Sequence, residues 1–343
     1  MVCVVPELQL VSKLGNGHFG IVFLGEDSVH GRVAVKVLAR KPNQSDASWQ
    51  AEKTSFLAEA QHLRAAKHRN VVEVHHLSEA PDGESIRCCM ALCPGGSLQS
   101  EFEAGPMLLL TVRKVATEVL MGLQALHNRG MLHRDIKPGN ILIDAHGVAQ
   151  IGDFGLVTDE LVLGYGSQAG YADHVAIEVW LGGGSSIKTD IWALGMTLYR
   201  LLHGQIWYDA APAPKESIKQ GGFVDTLRWL PHIPKAWRRV IRKMMNDDSS
   251  LRFQSADQVL EALSDLPTPS WTVTIGPNQV RWEQLAVKRL KFVEWTRHSS
   301  RKHEWKAWSQ PAEGAGRTLT LAGSNGTIGR AQLQRELEDF FEV

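Results

Sequence analysis

The octapeptide HRDIKPGN, residues 133–140, places a strongly polar segment between two apolar ones, GML before it and ILI after it. Asp135 and Asn140 lie within it, and Asp153 follows in the sequence DFG. Carboxylate and amide oxygens are hard ligands that suit magnesium. A further carboxylate can accept the proton of a hydroxyl nucleophile, and Lys137 can neutralise charge on a transferring group. The segment therefore favours a catalytic loop between two core strands over a capped turn between a helix and a hairpin.

A second candidate site is the glycine-rich sequence GNGHFG, residues 15–20, with Val22 close behind it. Glycines let a turn approach phosphates closely, and the backbone N–H groups of such a turn can point at anionic oxygens. The sequence lies between two predicted strands, which argues against a dinucleotide fold, where a helix follows. Taken alone, the glycine-rich sequence is explained equally well by a structural hairpin turn. The residues of this candidate site are Gly15, Asn16, Gly17, His18 and Gly20.

Lys36 ends the apolar strand sequence VAVK and is a third candidate. Taken alone, a lysine at this position is a solvated strand end. Glu59, on a predicted helix downstream, changes this interpretation, because a buried lysine needs a carboxylate partner. Such a lysine can also hold phosphate oxygens as a point charge.

Hydrophobic periodicity predicts the elements around these sites. Residues 8–40 are predicted to form three strands joined by turns, and residues 50–67 a helix. The stretch LLLTVRKVATEVLMGLQALH predicts a long buried helix that leads into the polar loop. The stretch TDIWALGMTLYRLLHG predicts a second apolar helix, closed by Gly204.

The order of these motifs resembles the eukaryotic-type (Hanks-type) serine/threonine protein kinases over residues 8–266. One motif would be weak evidence, but eight in order at family-like spacing are specific. Lys137 and Pro138 resemble serine/threonine kinases more than tyrosine kinases. The eight motifs are the glycine-rich sequence through Val22, VAVK through Lys36, Glu59, HRDIKPGN, DFG, AIE at 176–178, TDIWALG at 189–195, and Arg252, which would pair with Glu178.

The resemblance implies an α+β, two-lobed protein kinase fold, with a β-rich N-lobe and a helical C-lobe. It also implies ATP and Mg²⁺ as cofactors. Asp135 would be the catalytic aspartate and Lys137 would contact the γ-phosphate. Asn140 and Asp153 would bind magnesium. Lys36 would hold the α- and β-phosphates and pair with Glu59, while residues 15–20 would cover the nucleotide.

The adenine site is likewise implied by the resemblance. Val22, Ala34 and Leu142 would sandwich the base, and Met90 falls at the gatekeeper position. The backbone carbonyl of Ala91 and the backbone amide of Cys93 would face the adenine edge.

The sequence departs from the family in the segment before Glu178, where Gly170-Tyr171 replaces the usual Gly-Thr. We expect ATP- and Mg-dependent phosphoryl transfer to protein serine or threonine hydroxyls, including autophosphorylation. Two alternatives stay open: a pseudokinase scaffold that only binds, and a kinase-fold enzyme that phosphorylates a small molecule. Ser167 is the favoured phosphorylation site for activation, because its glycine-rich surroundings leave room for a phosphate to order the segment.

The sequence LPTPSW at residues 266–271 indicates a linker, so a second domain is predicted over 271–343. Alternating tryptophans predict a small antiparallel sheet, and the last residues predict a helix packed on it. Residues 271–310 contain eight Lys/Arg and three Asp/Glu. We interpret this composition as core tryptophans with a solvated charged face, so nucleic acid is not an expected partner. The domain is expected to select or position a protein partner and to be unnecessary for phosphoryl transfer, so a chain that ends near Leu266 should fold and keep basal activity. The competing hypothesis is that the sheet docks on the large lobe and completes its core.

We expect a cytoplasmic protein from its charge, its first residues and its cysteines. The 37 Lys/Arg and 37 Asp/Glu balance, so overall charge names no partner. The first ten residues lack the basic region of a signal peptide, and no apolar run is long enough to span a membrane. The four cysteines lack disulfide or zinc spacing, which favours reduced thiols. Protein substrates are the expected partners, and membranes are not.

Overall fold

The computed structural model describes residues 7–17, 20–65, 67–80, 82–152, 172–314 and 316–342, without the side chains at 16, 17, 55, 58–65 and 172. The chain forms two compact units. One consists of Met1–Ser97 and Glu118–Gly164, and the other of Leu98–Thr117 and Tyr165–Val343.

The first unit contains an antiparallel sheet of five strands, which are β1 (Leu8–Gly17), β2 (Gly20–Asp27), β3 (Gly31–Ala39), β4 (Val74–Glu79) and β5 (Ser85–Ala91). Their order is β1-β2-β3-β5-β4. Val33 and Val35 alternate along β3, are 0% exposed, and form a core cluster with Cys89. The predicted strands over 8–40 are therefore confirmed, and α1 (Asp46–Ala65) corresponds to the predicted helix over 50–67.

The long buried helix that precedes the polar loop is also confirmed. It is α3 (Leu109–His127), which follows the short α2 (Leu98–Ala104). The chain then passes through residues 133–140 into a hairpin of β6 (Ile141–Ile143) and β7 (Ala149–Ile151). The inward face of α3 is at most 3% exposed at Val112, Val115, Val119, Leu123 and Leu126.

Beyond residue 172, the second unit continues with the helices α4 (Ile177–Trp180), α5 (Ile187–Asp209), α6 (Lys215–Gln220), α7 (Lys235–Met244) and α8 (Ala256–Ser264). A capping box starts α5, since Ser186 Oγ accepts the Lys188 N–H at 3.2 Å and Thr189 Oγ1 accepts the Ser186 N–H at 3.0 Å. The regular helix breaks at Gly204, whose φ is 69°, as the sequence predicted. Among the described helices, none is long and apolar enough to cross a membrane.

The last part of the chain forms the predicted antiparallel sheet, with β8 (Thr272–Ile275), β9 (Gln279–Ala286), β10 (Arg289–Arg297), β11 (His303–Pro311) and β12 (Leu319–Gly323) in sequential order. The terminal helix α9 (Arg330–Glu342) packs on it, as predicted. Phe341 lies 5.4 Å from the Trp282 ring, and Phe340 lies 5.6 Å from the Trp305 ring.

This sheet and α9 pack against the helices of the same unit. Trp207 of α5 lies 6.3 Å from Trp295 of β10, measured between ring centroids. Arg238 of α7 forms an ion pair with Glu338 of α9 at 2.5 Å. Trp237 Nε1 donates a hydrogen bond to the carbonyl of Pro267 at 2.8 Å, so the linker is also fixed. The boundary at 266–271 remains a prediction, since contacts group both sides of it in one unit.

Candidate active site

The polar loop at 133–140 is shaped by two local features. Arg134 has a φ of 68°, in the left-handed region that residues with a Cβ rarely adopt. Pro138 begins a short 3₁₀ turn that ends at Asn140, and the Ile141 N–H donates to the Pro138 carbonyl. Proline suits the start of such a turn because its φ is already fixed and because a backbone N–H at this position would have no partner within the turn. The loop therefore turns sharply on both sides of Asp135.

The Asp135 carboxylate is the centre of this loop and is 8% exposed. Its Oδ2 accepts hydrogen bonds from Lys137 Nζ and Asn140 Nδ2, both at 2.7 Å. Hydrogen bonds to an ionised oxygen are roughly twice as strong as neutral ones, so this oxygen is held firmly. Among the described residues, no hydrogen bond reaches the other oxygen, Oδ1. That oxygen is the one that can accept a proton.

Asn140 is 5% exposed and is oriented by its amide nitrogen. Besides bonding the carboxylate, Nδ2 donates to the Asp135 backbone carbonyl at 2.8 Å. Both hydrogen bonds use Nδ2, so the amide oxygen points away from Asp135 and is available as a hard ligand. The Asn140 side chain therefore fits the magnesium-ligand role that the sequence predicted for it.

His133 anchors the loop, a contribution that the sequence prediction did not include. Its Nδ1 accepts the Asp135 N–H at 3.3 Å, so the neutral ring carries its proton on Nε2, which donates to the Gly152 carbonyl at 3.2 Å. The Gly152 N–H in turn donates to the Asn140 carbonyl at 2.9 Å. The signal in the sequence was the histidine that begins HRDIKPGN and the glycine that directly precedes DFG.

The register of the first sheet brings together four of the predicted nucleotide-binding side chains. Lys36 pairs with Val22 on β2, and Ala34 pairs with Met90 on β5. Directly paired residues share a face, and Ala34 and Lys36 are two positions apart on β3, so all four lie on the same face. Lys36 is 5% exposed, which does not fit a solvated strand end.

The glycine-rich sequence forms the predicted hairpin, with Gly15 opposite Val22, and Gly17 opposite Gly20. A Cβ at Gly20 would collide with the carbonyl oxygen of Val37, so glycine is required there for close packing on β3. Nothing lies within 4 Å of a Cβ built at Gly15. The side chain of Asn16 and the whole of His18 lie outside the described part of the chain.

Residues 91–97, the segment after β5, are fixed against β6. The Gly95 N–H donates to the Ile143 carbonyl at 3.0 Å, and the Ile143 N–H donates to the Gly96 carbonyl at 2.8 Å. This pairing places Leu142 next to the segment that contains Cys93. The Ala91 N–H donates to the Glu73 carbonyl at 2.9 Å. Burial raises the pKa of the Cys93 thiol to about 11, so this cysteine is protonated at neutral pH.

Several predicted site residues lie outside the described residues. Asp153, Ser167 and Tyr171 are among them, so the second magnesium ligand and the activation segment stay predictions. Glu59 belongs to α1 by its backbone, but its side chain is not described, so the Lys36–Glu59 pair also stays a prediction.

The predicted pairing of Arg252 with Glu178 is confirmed in the second unit. The Arg252 guanidinium donates to Glu178 Oε1 at 2.6 Å and to Oε2 at 2.8 Å. Its Nε also donates to the carbonyl of Asn246 at 2.5 Å. Because the Arg252 side chain is 0% exposed, these bonds replace all of its hydration.

We expect Arg252→Ala to lower the free energy of unfolding by about 3 kcal/mol, since it removes one partner of a buried ion pair. Urea unfolding followed by circular dichroism measures this change. The control Arg239→Ala removes an exposed arginine from α7 and should change stability by less than about 0.5 kcal/mol. Equal midpoints for the two variants would contradict the structural role of Arg252.

The sequence model of the protein kinase domain matches residues 8–263. Serine/threonine-protein kinase PrkC of Bacillus subtilis is 30% identical over 258 residues, which are 73% of this chain and 39% of that protein. Serine/threonine-protein kinase TOS3 of Saccharomyces cerevisiae is 32% identical over 235 residues, 60% of this chain and 42% of that protein. Serine/threonine-protein kinase pkn2 of Myxococcus xanthus is 29% identical over 273 residues, 75% of this chain and 32% of that protein. The chain thus spans well under half the length of these relatives.

Proposed function

The chain belongs to the protein kinase family, and from this premise we propose that it transfers the γ-phosphoryl group of ATP to serine or threonine hydroxyls of protein substrates. One observation carries the proposal. The Asp135 carboxylate has one oxygen fixed by Lys137 and Asn140, while the described residues leave its other oxygen available as a proton acceptor. The three relatives are all named serine/threonine kinases, which supports this acceptor class.

In this mechanism Asp135 orients the substrate hydroxyl and takes its proton on Oδ1 as the oxygen attacks the γ-phosphorus. The bond from that phosphorus to the β-phosphate bridging oxygen breaks, and ADP leaves. Lys137, 2.7 Å from Asp135 Oδ2, supplies positive charge beside the phosphoryl group. Lys36 holds the nucleotide phosphates from the face that it shares with Val22, Ala34 and Met90.

Asn140 and Asp153 would hold magnesium, and the outward amide oxygen of Asn140 fits that role. The metal, when bound, supplies positive charge to the phosphate oxygens. Asn140 contributes twice, because its nitrogen fixes Asp135 while its oxygen remains for the metal.

Incubation of the purified chain with γ-labelled ATP and a generic protein substrate tests the proposal. We expect label in protein, at serine or threonine after acid hydrolysis and separation of the phosphoamino acids. Label confined to small molecules would instead assign a small-molecule phosphotransferase. Nucleotide binding with no transfer to any acceptor would assign a scaffold.

We expect Asp153→Ala to weaken magnesium-dependent ATP binding by about tenfold or more, because it removes a charged ligand of a hard cation. Titration of ATP by calorimetry, with and without Mg²⁺, measures this change. In the variant, adding Mg²⁺ should no longer improve the affinity for ATP. An undiminished effect of Mg²⁺ would place the metal on other residues.

The same proposal assigns the cytoplasm as the compartment and proteins as the substrates. ATP is supplied there, and the environment keeps thiols reduced. The buried Cys89 and Cys93 suit such an environment, because burial raises their pKa values to about 12 and about 11.

A further inference from the structure

A cavity of about 360 Å³ lies within the second unit, where the end of α5 meets the C-terminal sheet. Trp207 and Arg228 line it from the helical side, and Trp295 and Arg297 from β10. Arg330, the first residue of α9, also lines the cavity. Trp207 and Arg330 are 123 positions apart in the chain, so only the tertiary structure creates the cavity.

The charges around this cavity are all positive. Arg228, Arg297 and Arg330 line it, and the described lining includes no aspartate or glutamate. The buried Arg238 and Arg252 behave differently, because each forms an ion pair with a glutamate. Among the described residues, none of the three cavity arginines has such a partner. Converging cations without a counter-charge repel each other, and a bound anion relieves that repulsion.

The pKa of Arg330 agrees with this arrangement. Burial lowers it most, and the nearby charges of Arg228 and Arg297 lower it further. A guanidinium remains charged at neutral pH even so. The three positive charges therefore lie near one another and persist at the pH of the cell.

His303 adds a buried donor to the cavity. The residue lines the cavity and is 2% exposed. Its Nδ1 accepts a hydrogen bond from Trp295 Nε1 at 3.2 Å, and an indole N–H only donates, so the neutral ring carries its proton on Nε2. No described residue accepts a well-aligned hydrogen bond from Nε2, although the Ser300 carbonyl lies near enough to raise the pKa of the ring. Burial lowers the pKa of His303 overall, so it offers a neutral N–H at pH 7.

The N-terminus of α9 reaches the same place. At the start of this 13-residue helix, the Leu333 N–H donates to the carbonyl of Gly329, the residue before the helix, at 3.0 Å. The amides of residues 330–332 are therefore not used within the helix. These amides have no hydrogen-bond partner among the described residues, and both they and the helix dipole favour an anion at this end.

We propose that this cavity binds a phosphate group, either as free phosphate or as a phosphate monoester. Three arginines and a neutral imidazole N–H match a phosphate better than a carboxylate, because a phosphate monoester offers three strong acceptor oxygens and close to two negative charges, whereas a carboxylate offers two oxygens and one charge. The volume leaves room for a small organic group, and Trp207 and Trp295 provide aromatic walls for it. Binding here would also strengthen the contact between the sheet and α5. This site is separate from the proposed kinase reaction and does not depend on it.

Titration of the full chain with inorganic phosphate and with O-phosphoserine tests the proposal, with tryptophan fluorescence and thermal unfolding as readouts. Sodium chloride keeps the ionic strength constant, and serine, which lacks only the phosphate group, is the control for phosphoserine. We expect saturable binding and a rise in Tm, because a ligand that binds the folded state stabilises it. Tighter binding of phosphoserine than of phosphate would identify a phosphorylated residue as the source, and the reverse order would identify free phosphate.

Arg297→Gln and Arg330→Gln should each weaken phosphate binding about tenfold, because each removes a charge-assisted donor. Both side chains are at least partly exposed, so the variants should fold, and thermal unfolding without phosphate verifies this. Arg335→Gln is the matched control, since Arg335 is an exposed arginine on the same helix that does not line the cavity. A response without saturation, a response reproduced by chloride, or unchanged affinity in both cavity variants would overturn the proposal.

Discussion

Asp135→Asn should lower kcat by about 10²- to 10⁴-fold and leave the affinity for ATP close to that of the unaltered chain. The amide has nearly the shape of the carboxylate, and its oxygen can still accept hydrogen bonds from Lys137 and Asn140. It cannot take up the proton of the attacking hydroxyl. Steady-state kinetics with a protein substrate gives kcat, and nucleotide titration gives the ATP affinity separately.

A control with the same chemical change is Asp265→Asn at the end of α8. Asp265 is exposed, and its side chain takes part in no hydrogen bond or ion pair among the described residues. We expect its kinetics to match those of the unaltered chain. Ordinary turnover in Asp135→Asn would move the proton acceptor to another group and refute the proposed mechanism.

Ending the chain after Leu266 should produce an insoluble or strongly destabilised protein. In the full chain, His232 is 3% exposed, because its ring packs against the rings of Trp282 and Phe341, with centroids 6.2 and 6.1 Å away. The cut removes both rings and exposes His232. It also removes Glu338 and leaves Arg238 as a buried charge without its carboxylate. Loss of one partner from a buried ion pair costs about 3–5 kcal/mol, a large part of the stability of a typical domain. Soluble yield and circular dichroism measure the outcome.

The linker composition predicted the opposite result, a truncated kinase domain that folds and keeps its basal activity. The contacts of Arg238 and His232 favour a sheet that completes the helical part of its unit. Glu338→Gln in the full chain is a milder version of the test, since it keeps the shape of the side chain and removes only its charge. We expect an intermediate loss of stability. A soluble truncated protein with normal ATP turnover would instead show that the C-terminal sheet and helix form an independent module.

Predictions from the sequence were accurate where a motif is short and local. The three strands over residues 8–40, the long helix before the loop and the C-terminal sheet with its helix are all present as predicted. Their hydrophobic periods are strong, and each element buries the face that its period defines. Asp135, Lys137 and Asn140 come together because they belong to one loop of eight residues, so the chain itself limits their separation.

Other contacts could not be read from the sequence in this way. Arg228, Arg297 and Arg330 each look like an ordinary surface arginine in the sequence, and no local pattern connects them. Arg238 and Glu338 are 100 residues apart and carry no spacing signal. The prolines at 266–271 correctly indicated a break between elements. They could not indicate whether the sheet beyond them packs against the helices.

The sequence by itself determined the family, the order of the elements and the chemistry of the catalytic loop, because these depend on residue types at short and fixed spacings. The tertiary structure decided that the C-terminal sheet packs against α5 and α7, and that three arginines converge without a carboxylate among them. The physical reason is that packing and charge depend on distances through space. Those distances are set when buried surfaces from distant parts of the chain meet.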